Sequence, residues 1–285
     1  MSDEAELFTA PPSPTRLNLY LGDCVAGLAR IPEKSVDLVV TSPPYNLGIK
    51  YSKYEDQRTP EEYLVWSCEW AGAVKRVLKD DGALFLNVAG SPKQPYMPHE
   101  LILRLRDIFI LQNTLHWIKS ISVKTPDVPH LSAGHFKPIN SKRYITDCHE
   151  YLFHLTKNGD NPLDRLAVGV PYTYKSNIAR WGHTEGKDKR CRGNNWFVPY
   201  KTIKSRKGQR PHPATFPVEL AEKCIKLHGT PSEQCTMLDP FLGIGHSAKA
   251  AQSQKVDHFI GFEIDEEYLS VACERLGTEI RQQPD

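Results

Sequence analysis

The sequence predicts an α/β fold, a mostly parallel twisted sheet with helices on both faces. Three observations carry this. Apolar runs of strand length alternate with stretches whose apolar residues recur at helical spacing. One apolar run, Val36–Val40, ends abruptly in two prolines. Near the C-terminus a strand-like run meets a helix-like one through a glycine-rich turn.

Residues 1–16 read as a flexible tail, acidic and then proline-rich, without the basic-then-apolar order of a secretory signal. Leu17–Leu21 reads as a strand, Val25–Ile31 as a helix and Val36–Val40 as a strand. Thr59-Pro60-Glu61-Glu62 is a capping box with proline at the first helical position. The helix behind it places Tyr63, Trp66, Trp70, Val74 and Val77 on one face, so both tryptophans are expected in the core. Strand Ala83–Val88, helix Met97–Asp107, a strand within Phe109–Ile118 and strand His149–Thr156 follow. Then come helix Pro217–Leu227, strand Thr236–Leu238, helix His246–Gln252, strand His258–Phe262 and helix Glu266–Leu276. The stretch from Asn158 to Arg210 breaks this alternation and reads as an inserted binding region.

Composition narrows the function. No apolar run approaches the ~18 residues of a membrane span, so no membrane partner is expected. The seven cysteines stand singly with no C-x-x-C pair, which argues for a reducing cytoplasm and against a zinc site. Net charge is only +2 over 285 residues, but Pro171–Arg210 holds eleven Lys/Arg and two acids. That stretch carries +9 and leaves −7 for the rest, the footprint of a polyanionic partner.

The glycine turn is Gly243-x-Gly245-x-x-Ala248, and Glu263 lies 20 residues after Gly243. Glycines let a ligand approach a helix N-terminus, and an acid ending the next strand suits ribose hydroxyls. A nicotinamide dehydrogenase and an S-adenosylmethionine methyltransferase both fit.

Ser42-Pro43-Pro44-Tyr45 is the second constellation. Proline donates no N–H and its φ is fixed. The turn therefore presents carbonyls, the Ser42 hydroxyl and the flat Tyr45 ring over the crevice where α/β sheets bind ligands. This suits an exocyclic amino group on a nucleobase. Its lone pair is delocalised into the ring, and two acceptors on its hydrogens localise that pair for attack. Tyr45 can stack on a base drawn out of its helix.

These motifs, in this order, resemble a β-class DNA amino-methyltransferase. The family pattern (D/N/S)-P-P-(Y/F/W) appears as Ser42-Pro43-Pro44-Tyr45, and D-P-F-x-G-x-G as Asp239-Pro240-Phe241-Leu-Gly243-Ile-Gly245. Leu19-Tyr-Leu-Gly-Asp23-Cys24, His149–Lys157 and His212-Pro213-Ala-Thr-Phe-Pro217 resemble further blocks of the family. The resemblance implies a Rossmann-like class I methyltransferase fold, circularly permuted. It implies a catalytic half at 17–157, a target-recognition insert at 158–210 and a cofactor-binding half at 211–285. It further implies S-adenosylmethionine, released as S-adenosylhomocysteine, no metal, and double-stranded DNA as substrate. Asp23, Cys24, Thr41, His212, Pro213, Pro217, Asp239, Pro240, Phe241, Gly243, Gly245, His246, Ser247, Glu263 and Ile264 are the expected cofactor residues. His246 departs from the family's usual Thr, and Ser247 is the hydroxyl that can replace it. Ser rather than Asp before the prolines leans toward cytosine N4 over adenine N6.

Lys137, Lys142, Arg143, Arg180, Arg192, Asn194, Asn195, Lys204, Arg206, Lys207 and Arg210 are the expected DNA contacts. Asn46–Arg58 is placed over the extruded base and His130–Arg143 along the DNA cleft. A cognate restriction endonuclease, a monomer or homodimer, and a cytoplasmic, nucleoid-associated location complete the expectation. An RNA methyltransferase, a nicotinamide oxidoreductase and an inactive DNA-binding module remain as alternatives.

Overall fold

The computed structural model describes residues 15–46, 48, 53, 56–119, 141–145, 147–180, 186–199, 215–229 and 234–281. Within them the strands are β1 (Arg16–Leu21), β2 (Val36–Thr41), β3 (Leu78–Val88), β4 (Ile110–Ile118), β5 (His149–Thr156), β6 (Asn195–Phe197), β7 (Thr236–Asp239), β8 (His258–Glu263) and β9 (Ile280–Arg281). The helices are α1 (Cys24–Leu28), α2 (Pro60–Val77), α3 (Met97–Leu105), α4 (Ser176–Arg180), α5 (Val218–His228), α6 (His246–Ser253) and α7 (Glu266–Leu276).

The strands form one sheet in the order β6-β4-β5-β3-β2-β7-β8-β1-β9. The β3–β5 and β4–β5 pairings are antiparallel and the others parallel, so β5 alone runs against the rest. From β2 the chain moves to β3 on one side, and from β7 to β8 on the other. The C-terminal ends of β2 and β7 thus meet at the point where strand order reverses, the usual ligand crevice of an open α/β sheet.

β2 is buried at all six positions, as a strand covered on both faces must be. Alternation divides its side chains. Leu38 and Val40 pack with Leu220 of α5, Ala248 of α6 and Leu269 of α7. Val39 packs with Leu28 of α1, Trp70 of α2 and Leu101 of α3. Helices therefore cover both faces, as expected.

Local chemistry sets the helix starts. The Thr59 hydroxyl accepts from Glu62 N, and the Glu62 carboxylate accepts from Thr59 N, completing the expected capping box. Asp23 caps α1 through Oδ1, and Asp265 caps α7. α1 and α3 both end earlier than periodicity suggests, at Leu28 and Leu105. β3 begins earlier, at Leu78, because Leu78 pairs with Val36 across a register shift. Gly82 is required in that extension, since a Cβ there would lie 2.9 Å from the Asp37 carbonyl.

The 158–210 stretch is knitted into this body where it is described. β6 adds to β4, Trp196 and Val198 are buried in the main core, and the Trp117 indole donates to the Val198 carbonyl at 2.9 Å. β6, α4 and β9 are too short to carry a periodic signal, and the sequence reading did not anticipate them.

Candidate active site

The floor of the crevice is a buried carboxylate. Asp239, ending β7, accepts from the Thr41 hydroxyl at 2.6 Å, the Ser247 hydroxyl at 2.5 Å and Phe241 N at 3.0 Å. Burial pushes its pKa up to about 6, and the three donors hold it down in part. Ser247 thus supplies the hydroxyl at the start of α6. His246 takes another task. Its Nδ1 contacts the Phe216 carbonyl at 2.8 Å, so that nitrogen carries the hydrogen and ties α6 to the segment before α5.

The turn after β2 is held by side chains from three distant elements. The Tyr63 hydroxyl of α2 donates to the Pro44 carbonyl at 2.9 Å. Tyr45 is buried and donates its hydroxyl hydrogen to Glu150 Oε2 at 3.0 Å. Asn87 Nδ2 of β3 donates to Tyr45 at 2.7 Å and to Glu150 Oε2 at 2.5 Å. Lys119 pairs with the other oxygen of Glu150. Ser42 Oγ lies 2.5 Å from the Tyr45 hydroxyl. The phenol has one hydrogen and Glu150 takes it, so Ser42 donates to Tyr45; its oxygen accepts only a long contact from Asn87 Nδ2 at 3.5 Å and has capacity for a further donor.

Across the crevice stands the glycine turn. Gly243 and Gly245 have φ of +55° and +87°, values that side-chain-bearing residues rarely adopt. Glu263, ending β8, accepts from Gly243 N at 2.7 Å and from Asp265 N at 2.9 Å. Burial nonetheless raises it to about 7. Such a carboxylate is short of donors, and a vicinal diol supplies two. Beside it, burial and the Asp23 carboxylate push the Cys24 thiol upward.

One pocket collects these groups. Asp23, Cys24, Ser42, Pro43, Pro44, Tyr45, Pro240, Phe241, Gly243, His246, Glu263 and Ile264 line it. Thr41, Asp239 and Ser247 lie buried close behind its wall, joined by the hydrogen bonds above. Pro217 caps α5 just beyond the lining residues Thr215 and Phe216. His212 and Pro213 lie outside the described residues.

Several lining groups were not anticipated. Trp66 is only partly buried; it lines the pocket edge-on to Phe241 and beneath the Arg58 guanidinium, 4.7 Å from its ring. Trp70 is fully buried, as expected. Lys53 and Arg58 add positive charge to the rim. The ends of the 46–58 loop are clipped together: Asn46 Oδ1 accepts from Arg58 N, and its amide donates to the Arg58 carbonyl, both at 2.8 Å. Asn87 and Glu150 left a signal that went unused, a polar residue inside an apolar strand run.

The expected DNA contacts scatter. Lys137, Lys204, Arg206, Lys207 and Arg210 lie outside the described residues. Lys142, Arg143, Arg180 and Asn195 are exposed. Arg192 and Asn194 are engaged with the protein itself: Arg192 Nε donates to the Val168 carbonyl at 2.9 Å, and Asn194 Nδ2 to the Thr114 carbonyl at 3.0 Å.

Known proteins resemble this chain in sequence and fold. The N6/N4 methyltransferase family model, described as DNA methylase, matches residues 36–274. The type II methyltransferase M.ScaI of Streptomyces caespitosus is 32% identical over 270 residues, covering 92% of this chain and 81% of that protein. DNA adenine methyltransferase YhdJ of Escherichia coli K12 is 26% identical over 259 residues, covering 90% and 81%. The solved PvuII DNA methyltransferase, described as cytosine-N4-specific, has the same fold at a TM-score of 0.67 and 21% identity, covering 93% of this chain and 89% of that one.

Proposed function

The chain belongs to the N6/N4 DNA methylase family, and from that premise we propose that it methylates the exocyclic N4 amino group of a cytosine turned out of duplex DNA. One observation carries the reading: Ser42-Pro43-Pro44-Tyr45, the Gly243 turn and Glu263 face one pocket at the point where strand order reverses. S-adenosylmethionine, when bound, supplies a sulfonium-activated methyl, whose C–S bond breaks with its electron pair left on sulfur as the C–N bond forms, releasing S-adenosylhomocysteine.

Glu263 is the residue to take the ribose hydroxyls, because its buried carboxylate has capacity for further donors. Cys24 and Ile264 offer apolar surface for the adenine, with Asp23 beside them. The turn at Gly243–Gly245 and the segment at Thr215–Pro217 border the methionine end. Ser42 Oγ, with its lone pairs free of Tyr45, accepts a hydrogen of the target amine and draws its electron pair out of the ring. The buried Tyr45 ring is fixed in plane by its hydroxyl partners and serves as the stacking surface for the extruded base. The basic stretch 171–210 supplies phosphate contacts, and Lys53 and Arg58 extend positive charge to the pocket rim. A paired restriction endonuclease agrees with the type II designation of M.ScaI.

Adenine N6 is the second reading, favoured by the similarity to YhdJ. Ser42 accepts from either amino group equally well. The test is incubation with mixed-sequence duplex DNA and S-adenosylmethionine, then mass spectrometry of the digested nucleosides. N4-methylcytosine is expected. N6-methyladenine would overturn the base assignment, and no methylated base would overturn the reading as a whole.

A further inference from the structure

Glu150 takes no part in the proposed methyl transfer itself. It is a buried carboxylate on β5, the reversed strand, 105 residues from Tyr45. Resting on the methyl-transfer reading of the pocket, we propose that Ser42, Tyr45 and Glu150 form a proton relay, with Glu150 as the positioning residue that orients the chain and ends it.

The direction of the relay follows from counting hydrogens. An ionised carboxylate has none to give, so Tyr45 donates to Glu150. Asn87 donates to both oxygens as well, which holds Tyr45 and Glu150 side by side. Ser42 must then donate to Tyr45, and its oxygen, which takes only a long 3.5 Å contact from Asn87 Nδ2, keeps acceptor capacity for the amine. The order is set before any substrate arrives.

A nucleobase amine that has gained a methyl carries a positive charge and two hydrogens, and must lose one. That proton passes to Ser42 Oγ while the N–H electron pair returns to nitrogen. The original Ser42 proton moves to the Tyr45 oxygen, and the Tyr45 proton to Glu150 Oε2. Ser42 and Tyr45 each finish with one hydrogen, Glu150 finishes neutral, and the base finishes as a neutral methylamine. Glu150 returns the proton to solvent after product release. Lys119 and Asn87 keep its two oxygens in place throughout. Before any proton moves, the carboxylate two hydrogen bonds behind Ser42 makes that oxygen a stronger acceptor as positive charge develops on the nitrogen.

The experiment compares Glu150→Gln, Tyr45→Phe and the double variant with the full-length protein. Tyr45→Phe keeps a ring for stacking and removes the hydroxyl that links Ser42 to Glu150. Single-turnover methyl transfer to duplex DNA should fall about tenfold or more in each single variant, and the double variant should be no slower than the slower single. Affinity for S-adenosylmethionine and for DNA should stay within about twofold. A second readout needs no cofactor. In the cofactor-free protein the Tyr45 hydroxyl proton should give a downfield NMR signal that Glu150→Gln moves upfield, because a neutral amide is a weaker acceptor than a carboxylate. Losses that multiply in the double variant, a wild-type rate in Glu150→Gln, or an unmoved hydroxyl signal would each overturn the relay. N6-methyladenine as the product would overturn the cytosine reading alone, since the coupled loss is expected on either base.

Discussion

The Thr41 hydroxyl donates to the Asp239 carboxylate at 2.6 Å across 198 residues of sequence. The first ends the strand that carries the Ser42–Tyr45 turn, and the second ends the strand that carries the glycine turn. This bond fastens the two halves of the pocket where the sheet changes direction. Thr41→Val keeps the side-chain shape and removes one of three donors from a buried carboxylate. Unfolding stability should fall by about 1–3 kcal/mol, read as a lower urea midpoint at unchanged slope. An unchanged midpoint would deny the bond its structural role.

On the proposed reading, Glu263 makes cofactor binding depend on pH. Its folded-state value is raised to about 7 from the usual 4.5 by burial. Its contribution to stability is therefore fullest below the ordinary glutamate range and is lost as pH rises through about 7. In the proposed complex, ribose hydroxyls donate to the charged form, so binding pulls the value down and releases protons. At pH 7, S-adenosylmethionine should release roughly half a proton per site. Calorimetry in buffers of different ionisation heat measures this. Glu263→Gln should abolish the release and weaken binding, and affinity for the natural chain should decline below pH 7.

Tyr63 tethers the Ser42–Tyr45 turn. Its buried hydroxyl donates to the Pro44 carbonyl at 2.9 Å. Tyr63→Phe should cost about 1 kcal/mol of stability. The larger effect should be on single-turnover methyl transfer, which should slow because Ser42 and Tyr45 are less firmly placed. Cofactor affinity measured by calorimetry should stay as in the natural chain. A methyl-transfer rate equal to that of the natural chain would show the tether to be dispensable.

The basic stretch should divide by salt titration. Replacing Lys204, Arg206 and Lys207 together with alanine should flatten the dependence of DNA affinity on salt by up to about three phosphate equivalents. Arg192→Ala should behave otherwise, because its Nε anchors the side chain to the Val168 carbonyl. It should lower thermal stability and leave the salt slope almost unchanged. Equal slopes for both variants would contradict this division.

The sequence by itself determined whatever depends on a few neighbouring residues. Alternating apolar runs, the capping box at Thr59, the prolines ending β2 and the glycines at positive φ all act within a turn or two, so a single reading finds them. The spacing of Gly243 and Glu263 was legible for the same reason, and the two do meet, at 2.7 Å. Tertiary structure alone decided the rest. Glu150 and Asn87 read as stray polar residues in apolar strands until β5, reversed against its neighbours, lays one beside the other and both beneath Tyr45. Trp66 falls on the apolar face of its helix, yet Phe241 and Arg58 draw its ring to the pocket wall. β6 becomes a strand only because β4 offers it an open edge. Strand order, register and the meeting of side chains a hundred residues apart depend on which distant surfaces pack together, and no local pattern in the chain encodes that choice.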